Sequence, residues 1–83
     1  MRDNREASRY EVEIEGAVAF LEYARRPGAI ILIHTEVPAA LRGQGIAAIL
    51  AKWALDEARA EQVRVIAKCP YVRAYMTKHR RSL

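Results

Sequence analysis

The sequence predicts an α+β domain in which one layer of helix lies on one sheet, in the order β-β-β-α-β-α. Three observations carry that expectation. The chain has 83 residues, which suits a single small domain spanning residues 1–83 and leaves no room for a separate substrate-binding domain. Its first half alternates with the period of strands between Gly and Pro turn signals, and after residue 42 the period becomes that of a helix. A hydrophobic share of 52% beside 29% charged residues excludes a disordered chain, although so short a domain buries a modest core and is marginally stable.

Residues 1–8 are mostly charged or polar and are expected to be flexible. Tyr10-Glu11-Val12-Glu13-Ile14 alternates apolar and acidic, as a strand with one wet face does. Glu15-Gly16 supplies a turn, and Ala17 to Arg25, with Val18, Phe20, Leu21 and Tyr23, forms the second strand. Arg26-Pro27-Gly28-Ala29 closes it as a type II turn, because proline presets φ at the second position and glycine accepts a positive φ at the third. Ile30-Ile31-Leu32-Ile33 is apolar at every position, which predicts a central third strand running through His34-Thr35-Glu36-Val37 to Pro38. Strict alternation places His34 and Glu36 on the face of Leu32, with Thr35 and Val37 on the other.

From Gly43 to about Ala60 an alanine-rich segment predicts a helix. Ile46, Leu50, Trp53 and Ala54 line its apolar side, and Lys52, Asp56 and Arg59 its narrow polar side. Val63 to Ala67 returns to strand character, parallel to its neighbour across the helix. Cys69-Pro70 then opens a last helix with proline at the favoured first position and an apolar stripe of Tyr71, Val72, Tyr75 and Met76.

Composition removes several function classes. The single cysteine, Cys69, precludes an intrachain disulfide, and no Cys/His cluster has metal-site spacing, so no metal is expected. The charged start Met1-Arg2-Asp3-Asn4-Arg5-Glu6 and the lack of a long apolar run argue against a signal peptide or a membrane span, and a reducing cytoplasm is the expected compartment. The net charge of +4 divides unevenly, −2 over residues 1–61 and +6 over residues 62–83. That basic C-terminal quarter suits a phosphorylated partner, or serves as a solvated tail that aids solubility. Nucleic-acid binding is a third reading with no motif behind it. Trp53 fits core packing between Leu50 and Ala54 better than base stacking.

The segment after the central strand has the organisation of an anion site. Proline, a short loop, Arg42, two glycines and a helix follow in turn. Gly43 and Gly45 carry no Cβ, and the unpaired N–H groups of the helix's first turn point outward along the positive end of its dipole. Main-chain nitrogens of Gly43, Gln44, Gly45, Ile46 and Ala47 are therefore the expected anion ligands, with Arg42 near a second phosphate. Neither the phosphate-loop spacing nor that of dinucleotide folds is present.

Leu41-Arg42-Gly43-Gln44-Gly45-Ile46-Ala47 resembles the signature of the GNAT acetyltransferases, whose core is [QR]-x-x-G-x-[GA]. Arg42, Gly45 and Ala47 take its three defined positions. His34-Thr35-Glu36-Val37-Pro38 before the loop, and Cys69-Pro70-Tyr71-Val72 through Tyr75 and His79 after it, are similar to a subfamily of very short GNAT-like proteins. The resemblance covers roughly residues 10–79. It implies acetyl-CoA as cofactor, a sheet splayed around the acetyl group where Cys69 ends the following strand, and an N-acetyltransferase acting on a small-molecule, peptide or protein amine. It further implies that backbone at Glu36 and Val37 pairs with the pantetheine arm, that residues 43–47 hold the pyrophosphate, and that Tyr75 protonates the departing thiolate. The chain departs from the short relatives in ending His79-Arg80-Arg81-Ser82-Leu83, which adds charge placed to contact adenosine phosphates.

Each candidate catalytic group has a structural alternative. His34 and Glu36 are candidate bases, or a satisfied histidine and a loop cap. Cys69 is a candidate acetyl-carrying nucleophile if its pKa is lowered, or a buried small hydrophobe. Tyr75 is a candidate acid, or packs with Tyr71 one turn away. Direct attack with Tyr75 as acid is the working mechanism. The alternative function is a non-catalytic acyl-CoA-binding or regulatory module. The subfamily omits the helices that build an acceptor pocket in longer enzymes, so an open site is expected, on a monomer or weak homodimer.

Overall fold

The computed structural model describes residues 1–79. Five strands form one sheet in sequence order, β1 (Arg2–Asn4), β2 (Arg9–Ile14), β3 (Ala17–Arg26), β4 (Ala29–Glu36) and β5 (Arg64–Ala67), with α1 (Ile46–Glu61) between β4 and β5 and α2 (Pro70–Lys78) after β5. The first three pairings are antiparallel and β4 with β5 is parallel, the mixed sheet that the pattern predicts.

β1 lies within residues that the alternation leaves outside the sheet. Its apolar content is nil, and cross-strand polar bonds hold it. Arg2 and Asn4 bind the carboxylate of Glu11 on β2, and Asp3 accepts the hydroxyl proton of Tyr23 on β3. Glu11 is buried beneath these side chains and Arg9.

Both helices cover one face of the sheet. Tyr10, Leu21, Ile30, Leu32, Leu50 and Val72 are its fully buried large side chains. Trp53 packs on Tyr10 at 4.8 Å between ring centroids, at the edge of this core. Lys52 reaches Asp56 across one turn at 2.8 Å on the polar side of α1. That helix ends where Gln62 turns left-handed and its N–H closes on the carbonyls of Ala58 and Arg59, a C-terminal stop that satisfies otherwise unpaired carbonyls. Arg25 then bonds Glu61 at 2.7 Å, tying the end of α1 to the sheet.

The strict alternation expected along β4 fails at one residue. Tyr23 faces Leu32 but Glu22 faces His34, so Ile33 is an insertion in the ladder. A β-bulge of this kind sets two residues against one and reverses the facing of everything beyond it. Thr35, opposite the buried Leu21, therefore shares the helix-covered face with Leu32, and His34 and Glu36 stand on the other face. The expected facing of residues 34–37 relative to Leu32 is corrected accordingly.

Candidate functional site: a split sheet and an open helix start

The parallel ladder runs from Ala29 beside Arg64 to Leu32 beside Ala67 and stops. There the carbonyl of Leu32 accepts from both Lys68 N and Cys69 N, at 2.9 and 3.0 Å. Beyond it the bulge breaks the register of β4, while Pro70 starts α2 and ends the run of β5. No strand pairs with the β5 side of Ile33–Glu36 among the described residues. The result is a split in the sheet, one edge of which is unpaired backbone.

From the end of that edge the chain enters a 3-10 turn, Ala39–Leu41, anchored by the buried Leu41. Arg42 folds back and donates from Nε to the carbonyl of Val37 at 3.3 Å. Gly43 and Gly45 follow with φ of 81° and 72°, a region that side-chain-bearing residues rarely adopt. A Cβ built on either would meet nothing within 4 Å, so the glycines are demanded by backbone angle and the space before them is open. Gly45 caps α1 with no side-chain hydrogen bond, and no acid lies in the first turn. The first N–H groups of the helix are thus directed at open space beside the split, unclaimed by any cap. This geometry suits a phosphate group, so the residues fit the pyrophosphate expected there.

The bulge sorts the candidate catalytic residues into two groups. On the open face His34 Nε2 and Glu36 Oε1 lie 3.0 Å apart, both about half exposed. On the helix face Cys69, 3% exposed, sits at the N-cap of α2 with its Sγ 3.4 Å from Thr35 Oγ1. Burial works to raise the Cys69 thiol, but hydrogen bonds from Thr35 and from the N–H groups of Val72 and Tyr71 outweigh it and the net shift is downward. Burial, with Tyr75 and Cys69 nearby, raises the Tyr71 phenol. Tyr75 is half-buried on α2, its ring stacked on His79 at 4.3 Å and 6.5 Å from that of Tyr71.

His34 and Glu36 are therefore brought together, as are Cys69 and the first turn of α2, but the two groups face opposite sides of the split. Thr35 is the polar partner that sequence reasoning did not single out. Its place between two candidate bases was the available signal, hidden because the bulge decides its facing. Arg80, Arg81 and the basic end of the chain lie outside the described residues.

The sequence profile described as GCN5-related N-acetyl-transferase matches residues 9–82. The chain belongs to this family. It is also similar to proteins named Protein NATD1: 35% identical over 80 residues in Xenopus tropicalis and 36% in Mus musculus, each covering 92% of this chain and 72% of the relative. The Homo sapiens protein is 36% identical over the same share of this chain and 70% of its own length. The mixed sheet with a split parallel pair is the family's fold, and acyl transfer is the chemistry that membership supports. No helix among the described residues is long and apolar enough to cross a membrane, and none of their His, Cys, Asp and Glu side chains form a cluster able to hold a metal ion.

Proposed function

We propose that this protein binds acetyl-CoA and transfers its acetyl group to an amine. The observation that carries this reading is the uncapped start of α1, entered through two left-handed glycines, beside the unpaired edge of β4. Backbone N–H groups from Gly43 through Gln44, Gly45, Ile46 and Ala47 hold the pyrophosphate, and Arg42 swings from the Val37 carbonyl toward it. Main-chain groups of Glu36 and Val37 on the unpaired edge hold the pantetheine amides as a further strand would. Bound acetyl-CoA supplies an activated acyl thioester.

The chain's own side chains then handle two protons. An ammonium acceptor approaching from the open face loses a proton to His34 Nδ1, the ring being oriented by Glu36, whose Oε1 accepts from Nε2–H at 3.0 Å. Tyr75, on the helix side, gives its phenolic proton to the departing thiolate. A second route favours Cys69 as a transient acyl carrier, supported by its lowered thiol pKa beside Thr35. Because no helix among the described residues covers the open face, the acceptor side admits a bulky amine such as a peptide terminus or lysine. That same exposure supports the competing reading, an acyl-CoA-binding module without a substrate of its own.

Thermal-shift titration with acetyl-CoA tests the binding half. Ligand at about 100 times its Kd stabilises the folded state by about 2.7 kcal/mol. Gly45→Asn and Gly45→Asp both tolerate a left-handed backbone, but only the aspartate sets an anion on the N–H cradle. The shift should survive in the asparagine variant, reduced, and vanish in the aspartate variant. Equal shifts in both would remove the pyrophosphate from this loop. Turnover against a panel of amines and peptides then separates the transferase from the binding module.

A further inference from the structure

β5 is the last strand of the sheet, and among the described residues no strand pairs with its outer edge. Its inner side is occupied: the N–H of Arg64 reaches the carbonyl of Gly28 and that of Lys68 the carbonyl of Leu32, each at 2.9 Å. Since backbone groups alternate sides along a strand, Val65 and Ala67 direct their N–H and C=O groups outward. A row of this kind is a template for one more strand.

Register sorts the side chains beside that edge. Val65 and Ala67 lie next to Ile30 and Leu32 on the helix-covered face, whereas Arg64, next to Ala29, and Ile66, next to Ile31, stand on the other. Lys68 continues the row of Arg64, and both are exposed. On the helix side Val63 and Val65 line an apolar cleft of about 160 Å³ together with Leu55, Ala58, Arg59 and Met76. An apolar cavity of about 150 Å³ holds a group the size of benzene, so this cleft has room for one aliphatic side chain. It lies against the last two turns of α1, at the far end of that helix from the glycine loop.

Charge beside the edge is of one sign. From residue 62 onward the chain carries no acid. Of the acids on the last turns of α1, Asp56 is held by Lys52 and Glu61 by Arg25, and Glu57 lies one turn beyond Trp53, on the side of the helix toward Tyr10 of β2. Register also disfavours a second copy as the occupant. Two-fold pairing that uses the outward groups of both copies sets Val65 of one against Ala67 of the other, and therefore Arg64 against Lys68, so like charges meet directly.

We infer that the outer edge of β5 takes up an extended segment of a partner protein that carries two acids four residues apart, with aliphatic residues facing the helices between them. The acids pair with Arg64 and Lys68, the main chain bonds to Val65 and Ala67, and the aliphatic side chain beside Val65 enters the cleft.

The probe is the peptide Thr-Glu-Val-Thr-Val-Glu-Thr, with Thr-Lys-Val-Thr-Val-Lys-Thr as its charge-reversed control. Added to the isotope-labelled full chain, the acidic peptide should shift the amide signals of residues 64–68 in NMR spectra and slow hydrogen exchange at Val65 and Ala67. The basic peptide should do neither. Arg64→Glu with Lys68→Glu changes two exposed side chains, and circular dichroism checks that the variant folds. It should bind the acidic peptide on the order of tenfold more weakly and take up the basic one. Comparison of the two peptides on the wild type tests the same charge preference without any substitution. No shift at millimolar acidic peptide, equal binding of both peptides, or shifts centred on other strands would each overturn the proposal. So would protection of the Val65 and Ala67 amides that grows with protein concentration in the absence of peptide, the sign of a second copy on this edge.

Discussion

Replacing Glu11 by glutamine removes one charge and almost no volume from the carboxylate that fastens β1 and β2. The hydrogen bond from Arg9, opposed by burial and assisted by Arg2 and Asn4, pulls the Glu11 carboxyl down to about 2 from the usual 4.5. Taken whole, a shift of that size corresponds to about 3 kcal/mol. The groups covering Glu11 are themselves wet, with Arg2 65% and Arg9 35% exposed, so solvent screening reduces the expected contribution to about 1–2 kcal/mol. Because the folded pKa is depressed, the stabilisation is complete above the unfolded value of 4.5 and drains away as pH falls toward about 2. Urea unfolding of wild type and Glu11→Gln across that interval is the assay. The stability gap between them should be about 1–2 kcal/mol at neutral pH and close on acidification. A gap independent of pH would show that shape and neutral hydrogen bonding, and not the charge, hold β1 in place.

Three further outcomes follow from the site. Leu41→Ala empties a buried anchor and should cost about 2–4 kcal/mol, and the loosened loop should weaken acetyl-CoA binding measured by calorimetry. Tyr75→Phe keeps the ring against His79 and should lower acetyl transfer on the order of a hundredfold if the phenol is the acid, with acetyl-CoA affinity unchanged. Cys69→Ala distinguishes the two routes: full activity with no acetyl adduct detected on the wild-type thiol by mass spectrometry selects direct transfer, whereas loss of activity together with loss of an adduct selects the cysteine.

Most of the fold was legible because its signals are local. Turn glycines and prolines, the acidic alternation of β2 and the alanine-rich helix each act within a few residues. Neither exception is local. β1 has no apolar alternation to read, and it pairs because Arg2 and Asn4 find Glu11 and Asp3 finds Tyr23, twenty residues away. The bulge sits in Ile30-Ile31-Leu32-Ile33, a run whose uniform apolarity hides any change of facing, with no glycine to announce it. The glycine loop at residues 43–45 could be read, since left-handed angles before a helix restrict residue choice so strongly. The partnership of Thr35 with Cys69 could not, because it depends on the facing that the bulge sets.

That one inserted residue also explains how a polar pair can stand beside a core. Without it, His34 and Glu36 would continue the face of Leu32 and lie on the helix-covered side, where an ionised carboxylate without a partner is costly to bury. Ile33 turns them to the wet side and brings Thr35, whose hydroxyl the Cys69 sulfur satisfies, into their place. The same step ends the parallel ladder and leaves the edge of β4 unpaired. Accommodating the pair and opening the split are therefore one structural event. It leaves the imidazole of His34 on one side of the split and the Cys69 thiol with the tyrosines of α2 on the other.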